Sequence, residues 1–333
     1  MIITKTPYRI SFFGGGSDYP AWYKKNGGAV LSTTIDKYIY ISCRFSPDYF
    51  KQKYRIVWRK IENVKNIKDI NHKAVRELLK YLKIKQGLEI HYHGDLPARS
   101  GMGSSSCFTV GLMQALCKIK NIKLSKSRLA NQSIHFEQNV MKEIVGSQDQ
   151  TSASYGGFNK IIFNKDNSIR IKKISSKKNI KKLNENLILI YTGINRTAHK
   201  IANKYVNKLT NEKKNHINRI LEYVNQGEKI LNNGDIDDFG SLLHDAWVEK
   251  KALSNLITNS KINSIYDKAR SHGALGGKLL GAGGGGFLLM YMKKKDRSDF
   301  LKKNKKLVSI PFNFTSLGSQ IILNQLSKVK YEN

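Results

Sequence analysis

Short stretches of alternating or continuously apolar residues dominate the first half of the chain. The runs at 2–4, 8–12, 29–34, 37–43, 54–58 and 88–93 are rich in β-branched and aromatic residues and predict strands. Apolar positions spaced three and four apart predict helices over 72–82, 104–118 and 128–142. Gly156-Gly157 breaks the chain, and the runs 158–163 and 169–174 that follow predict a hairpin. A stretch at 175–186, rich in Lys, Asn and Ser, is the expected domain boundary. After a strand at 187–192 the second half turns helical, over 197–209, 212–231, 235–253 and 261–272. Asp235 and Lys261 each follow a turn-like Gly or Ser, as helix starts do. Strands at 279–280, 287–292 and 320–323 close the chain, and no internal repeat is present. Strands and helices mixed without strict βαβ alternation predict an α+β fold, divided into domains 1–180 and 187–333.

Composition narrows the class. At 333 residues, 40% hydrophobic and 10% aromatic, the chain can bury a substantial core. The first residues carry no apolar run followed by a small-residue cleavage site, and no uncharged apolar run approaches the ~20 residues of a membrane span. Three cysteines (Cys43, Cys107, Cys117), odd in number and without metal-ligand spacing, lead us to expect reduced thiols, a cytoplasmic protein and no zinc. The formal charge of +33 raises the question of nucleic acid. The lysines are spread over the chain, however, and even the densest runs lack interleaved aromatics. Lys, Asn and Ile are over-used together, the pattern of a coding bias filling solvated faces. We therefore expect no nucleic-acid and no membrane partner, but a raised local concentration of anionic small molecules.

Three glycine-rich turns carry the chemistry. Pro97-Ala98-Arg99-Ser100-Gly101-Met102-Gly103-Ser104-Ser105-Ser106 runs into a helical pattern. Bare backbone N–H groups and hydroxyls at a helix start favour phosphate, although no Lys stands where the P-loop signature needs one. Ser104 could equally be an ordinary N-cap. The segment from Pro7 to Tyr19 places Gly14-Gly15-Gly16 directly after a strand bearing Arg9, with Ser17 and Asp18 behind it; an Asx-capped hairpin would read the same way. Gly281-Ala282-Gly283-Gly284-Gly285-Gly286 holds five glycines in six residues. Such a run is either a flexible hairpin or backbone forced close to another loop or ligand.

Together, and in this order, the three segments resemble the GHMP kinases, the superfamily of galactokinase, homoserine kinase and mevalonate kinase. The resemblance covers essentially the full length. It implies an N-terminal domain of ribosomal-protein-S5-like topology that binds ATP and sugar, and a ferredoxin-like C-terminal domain. The triple-glycine turn is similar to the sugar-1-kinase branch. Gly146-Ser147-Gln148-Asp149-Gln150-Thr151-Ser152-Ala153 with Tyr155-Gly156-Gly157-Phe158 is most similar to the heptose 7-phosphate kinases. Those enzymes convert D-glycero-D-manno-heptose 7-phosphate to the 1,7-bisphosphate on the way to a nucleotide-activated heptose for surface polysaccharide. An L-fucokinase or another hexose-1-kinase is the alternative reaction, and a non-catalytic sugar/ATP sensor the alternative class.

The resemblance also implies roles for residues. Pro97, Arg99, Ser100, Gly101, Met102, Gly103, Ser104, Ser105 and Ser106 wrap the triphosphate of ATP, the co-substrate. Ser105 and Glu137 hold Mg²⁺, an oxygen-ligand set that suits a hard ion; read alone, Glu137 would be an exposed helix charge. Asp149 is the base that takes the proton of the acceptor hydroxyl, and Arg9 keeps it ionised and counters transition-state charge. Read alone, Asp149 is a helix N-cap and Arg9 a surface ion pair. Gly16, Ser17, Asp18, Gly157, Gly283 and Gly284 shape the sugar site. Arg196, at a strand-to-helix junction, is the expected seat of the distal phosphate, with Lys200 and Lys278 as weaker choices. The partners implied are a sugar phosphate and ATP, on a monomer or homodimer.

Overall fold

The computed structural model describes residues 1–47, 49–194, 206 and 209–325. Strand β1 (Ile2–Phe13) pairs antiparallel along most of its length with β2 (Gly28–Phe45). The sequence pattern split each of these into two. In β1 the break is Pro7, which lies opposite Tyr38 with the register shifting between Pro7 and Arg9. The missing N–H interrupts the ladder, and the strand continues past it. In β2 the break is Asp36, whose polar groups belong to a neighbouring segment. Its N–H donates to Asn313 O at 2.9 Å, and its carboxylate accepts from Asn313 N at 2.8 Å.

Those two strands anchor a sheet of nine strands among the described residues. Further members are β3 (Tyr54–Val57), β4 (Ile61–Val64), β5 (Leu88–Gly94), β6 (Asn159–Phe163) and β7 (Ile169–Lys173). The path β13 (Gln320–Asn324)-β1-β2-β5-β3-β4 forms its backbone; β6 pairs with β2 and β7, giving the expected hairpin, and β3 runs parallel to β5. Two late strands, β12 (Phe314–Thr315) and β13 (Gln320–Asn324), return to β2 and β1. A second, antiparallel sheet has the order β11-β8-β10-β9, from β8 (Leu187–Tyr191), β9 (Gly276–Leu279), β10 (Phe287–Tyr291) and β11 (Val308–Ile310). The fold is α+β, as expected.

Helices cover both sheets. Short α1 (Pro20–Asn26), not predicted, starts on a proline that fits the first helical turn and buries Trp22 and Tyr23. After α2 (Lys73–Tyr81), α3 (Ser104–Ile119) lies buried against β1 and β2, and then α4 (Lys126–His135) ends in one π-helical turn, Phe136–Val140. Further helices are α5 (Gln148–Tyr155) and α6 (Lys177–Glu185), the latter within the expected boundary stretch. The last four are α7 (Lys214–Asn233), α8 (Ile236–Leu253), α9 (Ser260–Ser271) and α10 (Lys294–Lys303). The helix expected over 197–209 falls almost entirely outside the described residues. One core cluster fills the space between the large sheet, α2, α3 and α8; a second, with Trp247 and Phe300 fully buried, lies on the small sheet.

Candidate active site

Arg9 projects from β1 and is 3% exposed. Its Nε donates to Asp149 Oδ1 at 2.7 Å, its Nη2 stands 2.7 Å from the same oxygen, and its Nη1 donates to Gly101 O at 2.8 Å. One guanidinium thus ties the first-turn carboxylate of α5 to the loop before α3. Asp149 lies within α5 and is not its N-cap, which is Ser147. Arg9 is no surface pair.

The loop itself is built on close backbone contact. Gly101 has φ +80°, and a Cβ there would stand 2.4 Å from Leu280 O; a Cβ on Gly281 would stand 2.4 Å from Gly101 Cα. The third glycine run is therefore packed against the second. Gly103, with φ +76°, takes the N-cap position of α3, so Ser104 is not the cap. Ser104 Oγ instead accepts from Arg99 N at 3.1 Å. No side chain caps the first N–H groups of α3, which leaves the helix start available to an anion.

Glu137 sits on the π-helical turn and is 2% exposed, not an exposed helix charge. Its Oε2 accepts from Ser106 Oγ at 2.8 Å and from Gln150 Nε2. Burial pushes its carboxyl up to about 7. Thr109 also hydrogen-bonds this carboxylate. A buried carboxylate beside a serine hydroxyl fits a hard cation. The hydroxyl is that of Ser106; Ser105 is exposed at the same helix end. No cluster of three or more His, Cys, Asp or Glu able to hold a metal occurs among the described residues.

Asp18 is 2% exposed, accepts from Gly16 N at 3.0 Å, and is pushed up to about 6 by burial and by the Asp149 charge. A Cβ on Gly146 would lie 1.9 Å from Asp18 Oδ2, so the loop before α5 closes directly over this carboxylate. Two lysines complete the charge pattern. Lys278 of β9, 6% exposed, donates to Phe12 O, and burial with the Arg9 charge pushes it down to about 7. Lys250 of α8 donates to Leu279 O at 2.7 Å and Gly281 O at 2.6 Å. Burial, then the charges of Lys278 and Arg9, hold it well below the usual lysine range.

These groups share one cavity of about 540 Å³. Of the residues expected from sequence, Arg9, Gly16, Asp18, Arg99, Gly101, Gly103, Ser104, Ser105, Ser106, Glu137, Asp149 and Gly283 line it. Pro97, Ser17, Ser100, Met102, Gly157 and Gly284 do not. Ser17 Oγ bonds Gly14 O at 2.8 Å, Met102 is core, Gly157 N donates to Thr34 Oγ1 and Gly284 N donates to Ile257 O. Arg196 and Lys200 lie outside the described residues. Reading the sequence missed Lys250, although a signal existed: it falls on the buried stripe of α8 with Phe239, Leu243, Ala246 and Leu253, where a lysine is out of place.

The chain matches two families, GHMP kinases N terminal domain over residues 69–157 and GHMP kinases C terminal over residues 228–305. It is 28% identical to a D-glycero-alpha-D-manno-heptose 7-phosphate kinase of Campylobacter jejuni, over 95% of this chain and 97% of that protein. A bifunctional fucokinase/GDP-fucose pyrophosphorylase of Arabidopsis thaliana is 26% identical over 89% of this chain, which spans 30% of that longer protein. A D-glycero-D-manno-heptose 1-phosphate kinase of Bacteroides thetaiotaomicron shares the fold, with TM-score 0.79 at 20% identity, over 98% of this chain and 100% of that one. Among the described residues no helix is long and apolar enough to cross a membrane.

Proposed function

The chain belongs to the GHMP kinases, whose two domains it carries in order, and from that premise we propose that it phosphorylates the anomeric hydroxyl of a heptose 7-phosphate. It is a sugar kinase with ATP as co-substrate. The observation that carries the reading is the Arg9–Asp149 pair at 2.7 Å, set between the uncapped start of α3 and the glycine turn holding Asp18. The similarity to the Campylobacter protein supports the heptose 7-phosphate, and the similarity to the Arabidopsis protein favours a fucose-type hexose as the second reading.

Phosphoryl transfer is mainly positioning and electrostatics. The first N–H groups of α3, with Ser104 and Arg99, receive the triphosphate. Glu137 and Ser106 would hold Mg²⁺, with Ser105 at hand on the same turn; bound there, the ion would neutralise charge on the phosphate oxygens. Asp18 and the backbone of the Gly14–Gly16 turn orient the sugar. Asp149 accepts a hydrogen bond from the acceptor hydroxyl and takes its proton as charge builds on that oxygen. Arg9 keeps Asp149 in place and offers positive charge beside the transferring group.

A coupled ADP-release assay with Mg·ATP tests this, comparing D-glycero-D-manno-heptose 7-phosphate with L-fucose, D-galactose and D-mannose. Turnover on the heptose phosphate alone is expected. Turnover on L-fucose alone would replace it with the second reading, and no turnover on any sugar, with ATP still bound, would point to a sensor.

A further inference from the structure

Lys250 stands on the apolar stripe of α8 among Phe239, Leu243, Ala246 and Leu253, where a lysine needs a reason. Two hydrogen bonds supply one. Its Nζ donates to Leu279 O at 2.7 Å and to Gly281 O at 2.6 Å, on either side of Leu280. The first carbonyl ends β9, and the second opens the glycine run 281–286. Gly281 has φ +70°, and a run of glycines holds no shape by itself. Other groups pin the rest of the run. Gly284 N donates to Ile257 O at 2.8 Å, and Gly286 O accepts from Thr192 Oγ1 at 2.8 Å. Lys250 clamps its first residue.

That residue matters because the loop before α3 rests on it. A Cβ on Gly281 would stand 2.4 Å from Gly101 Cα, and a Cβ on Gly101 2.4 Å from Leu280 O, so the two backbones cannot shift independently. At the far end of the run Phe287 N donates to Ser100 O at 3.2 Å. Gly101 O in turn accepts from Arg9 Nη1 at 2.8 Å, and Arg9 Nε holds Asp149 Oδ1 at 2.7 Å. Direct contacts therefore run from Lys250 through Gly281 and Gly101 to Arg9. We infer that Lys250 is a positioning residue for phosphoryl transfer: by clamping Gly281 it seats Gly101 O, and through that oxygen it orients Arg9 against Asp149. The inference rests on the kinase reading of Arg9 and Asp149 and adds to it a control exerted from α8 and the second sheet. Were Lys250 there only to satisfy two carbonyls, its loss would weaken the fold and leave the Arg9 guanidinium undisturbed.

The test begins with NMR of the full chain carrying isotopically labelled arginine, in which the Arg9 Nε–H signal is assigned by its disappearance in Arg9→Lys. Lys250→Met is expected to shift or broaden that signal, and Lys250→Arg, which keeps the donors, to bring it back toward the wild-type position. Should Lys250→Met not fold, Lys250→Gln, a shorter neutral donor, reads the same signal. An unmoved Arg9 signal overturns the inference, and this arm needs no turnover. In steady-state kinetics Lys250→Met should lose about tenfold to a hundredfold in kcat, the scale of a misplaced positioning group, with KM for both substrates within about threefold of wild type. Unchanged kcat with lowered stability would make Lys250 a support of the fold and overturn the inference too. In the Arg9→Lys background the same substitution should cost less than about threefold further, because effects that act through one residue do not add. The full loss in that background would show that Lys250 acts apart from Arg9. Failure of the kinase reading would appear separately, as no ADP release by wild type on any sugar, while the Arg9 signal still decides whether Lys250 positions it.

Discussion

Arg9 grips one oxygen of Asp149 and leaves the other. Both Nε and Nη2 engage Oδ1, and a Cβ on Gly103 would stand 3.3 Å from Oδ2. The free oxygen therefore faces the start of α3, where the transferring phosphate and the acceptor hydroxyl must meet. Asp149→Asn keeps the shape and removes the basicity. We expect kcat to fall by about a hundredfold to ten-thousandfold, the usual reach of general-base catalysis, with the affinity for an ATP analogue unchanged. Steady-state kinetics beside analogue titration checks this; a kcat within a few-fold of wild type would remove Asp149 from the role.

Gly146 and Asp18 give a test of the sugar side. The methyl of Gly146→Ala would collide with Asp18 Oδ2, and the buried carboxylate must move. Misplacing a positioning group by about 1 Å costs on the order of a hundredfold. The expected result is a large loss of kcat/KM for the sugar with little change in KM for ATP. Equal losses for both substrates would mean that the α5 loop supports the whole cavity and not the sugar alone.

Asp18 also sets a pH dependence. Its folded pKa of about 6 lies above the ordinary 3.8, so between these values the folded state binds more protons than the unfolded one. Stability from this group thus falls as pH rises through that window, and the penalty is complete above about 6. At 1.36 kcal/mol per unit the shift from 3.8 to about 6 amounts to roughly 3 kcal/mol. Urea unfolding of the ligand-free protein at about pH 4 and about pH 7, against the non-titrating Asp18→Asn, isolates this contribution. Wild type should lose stability relative to the variant over that interval; a constant difference would show that Asp18 does not titrate there.

The parts of this site that were legible in the sequence are those in which one short segment holds both the backbone device and the side chain. The Gly14–Gly16 turn with Asp18, and Gly101-Met102-Gly103 before three serines, declared themselves because glycine at such density has few other uses. Contacts between distant segments did not. Nothing local distinguishes Ser106 from Ser105 as the partner of Glu137; that choice depends on the π-helical turn, which rotates Glu137 inward. Gly146 opens the segment that resembles the heptose 7-phosphate kinases, but its contact with Asp18 joins two distant segments and leaves no local mark. Lys250 was hidden by abundance, because in a chain with 58 Lys and Arg a single lysine carries little weight. The split of β1 and β2 failed for a related reason: Pro7 and Asp36 read locally as breaks, and their meaning lies in the strands beside them.

The choice between Ser105 and Ser106 can be made by experiment, because the two hydroxyls differ in burial and partner. Ser106 is buried and donates to Glu137 at 2.8 Å, whereas Ser105 is exposed on the same turn. If Glu137 and Ser106 hold Mg²⁺, Ser106→Ala removes one oxygen and frees the Glu137 carboxylate to shift. Losing such a group weakens metal binding by about tenfold to a hundredfold. We therefore expect the Mg²⁺ concentration for half-maximal activity to rise by that factor in Ser106→Ala and in Glu137→Gln. Ser105→Ala should stay within about threefold of wild type, the scale of losing one exposed hydroxyl contact. Titrating activity with Mg²⁺ at fixed saturating ATP and sugar reads the ranking directly. The reverse order, with Ser105→Ala the more demanding variant, would return the metal to Ser105, the residue the family resemblance implies, and make Ser106 a support for Glu137.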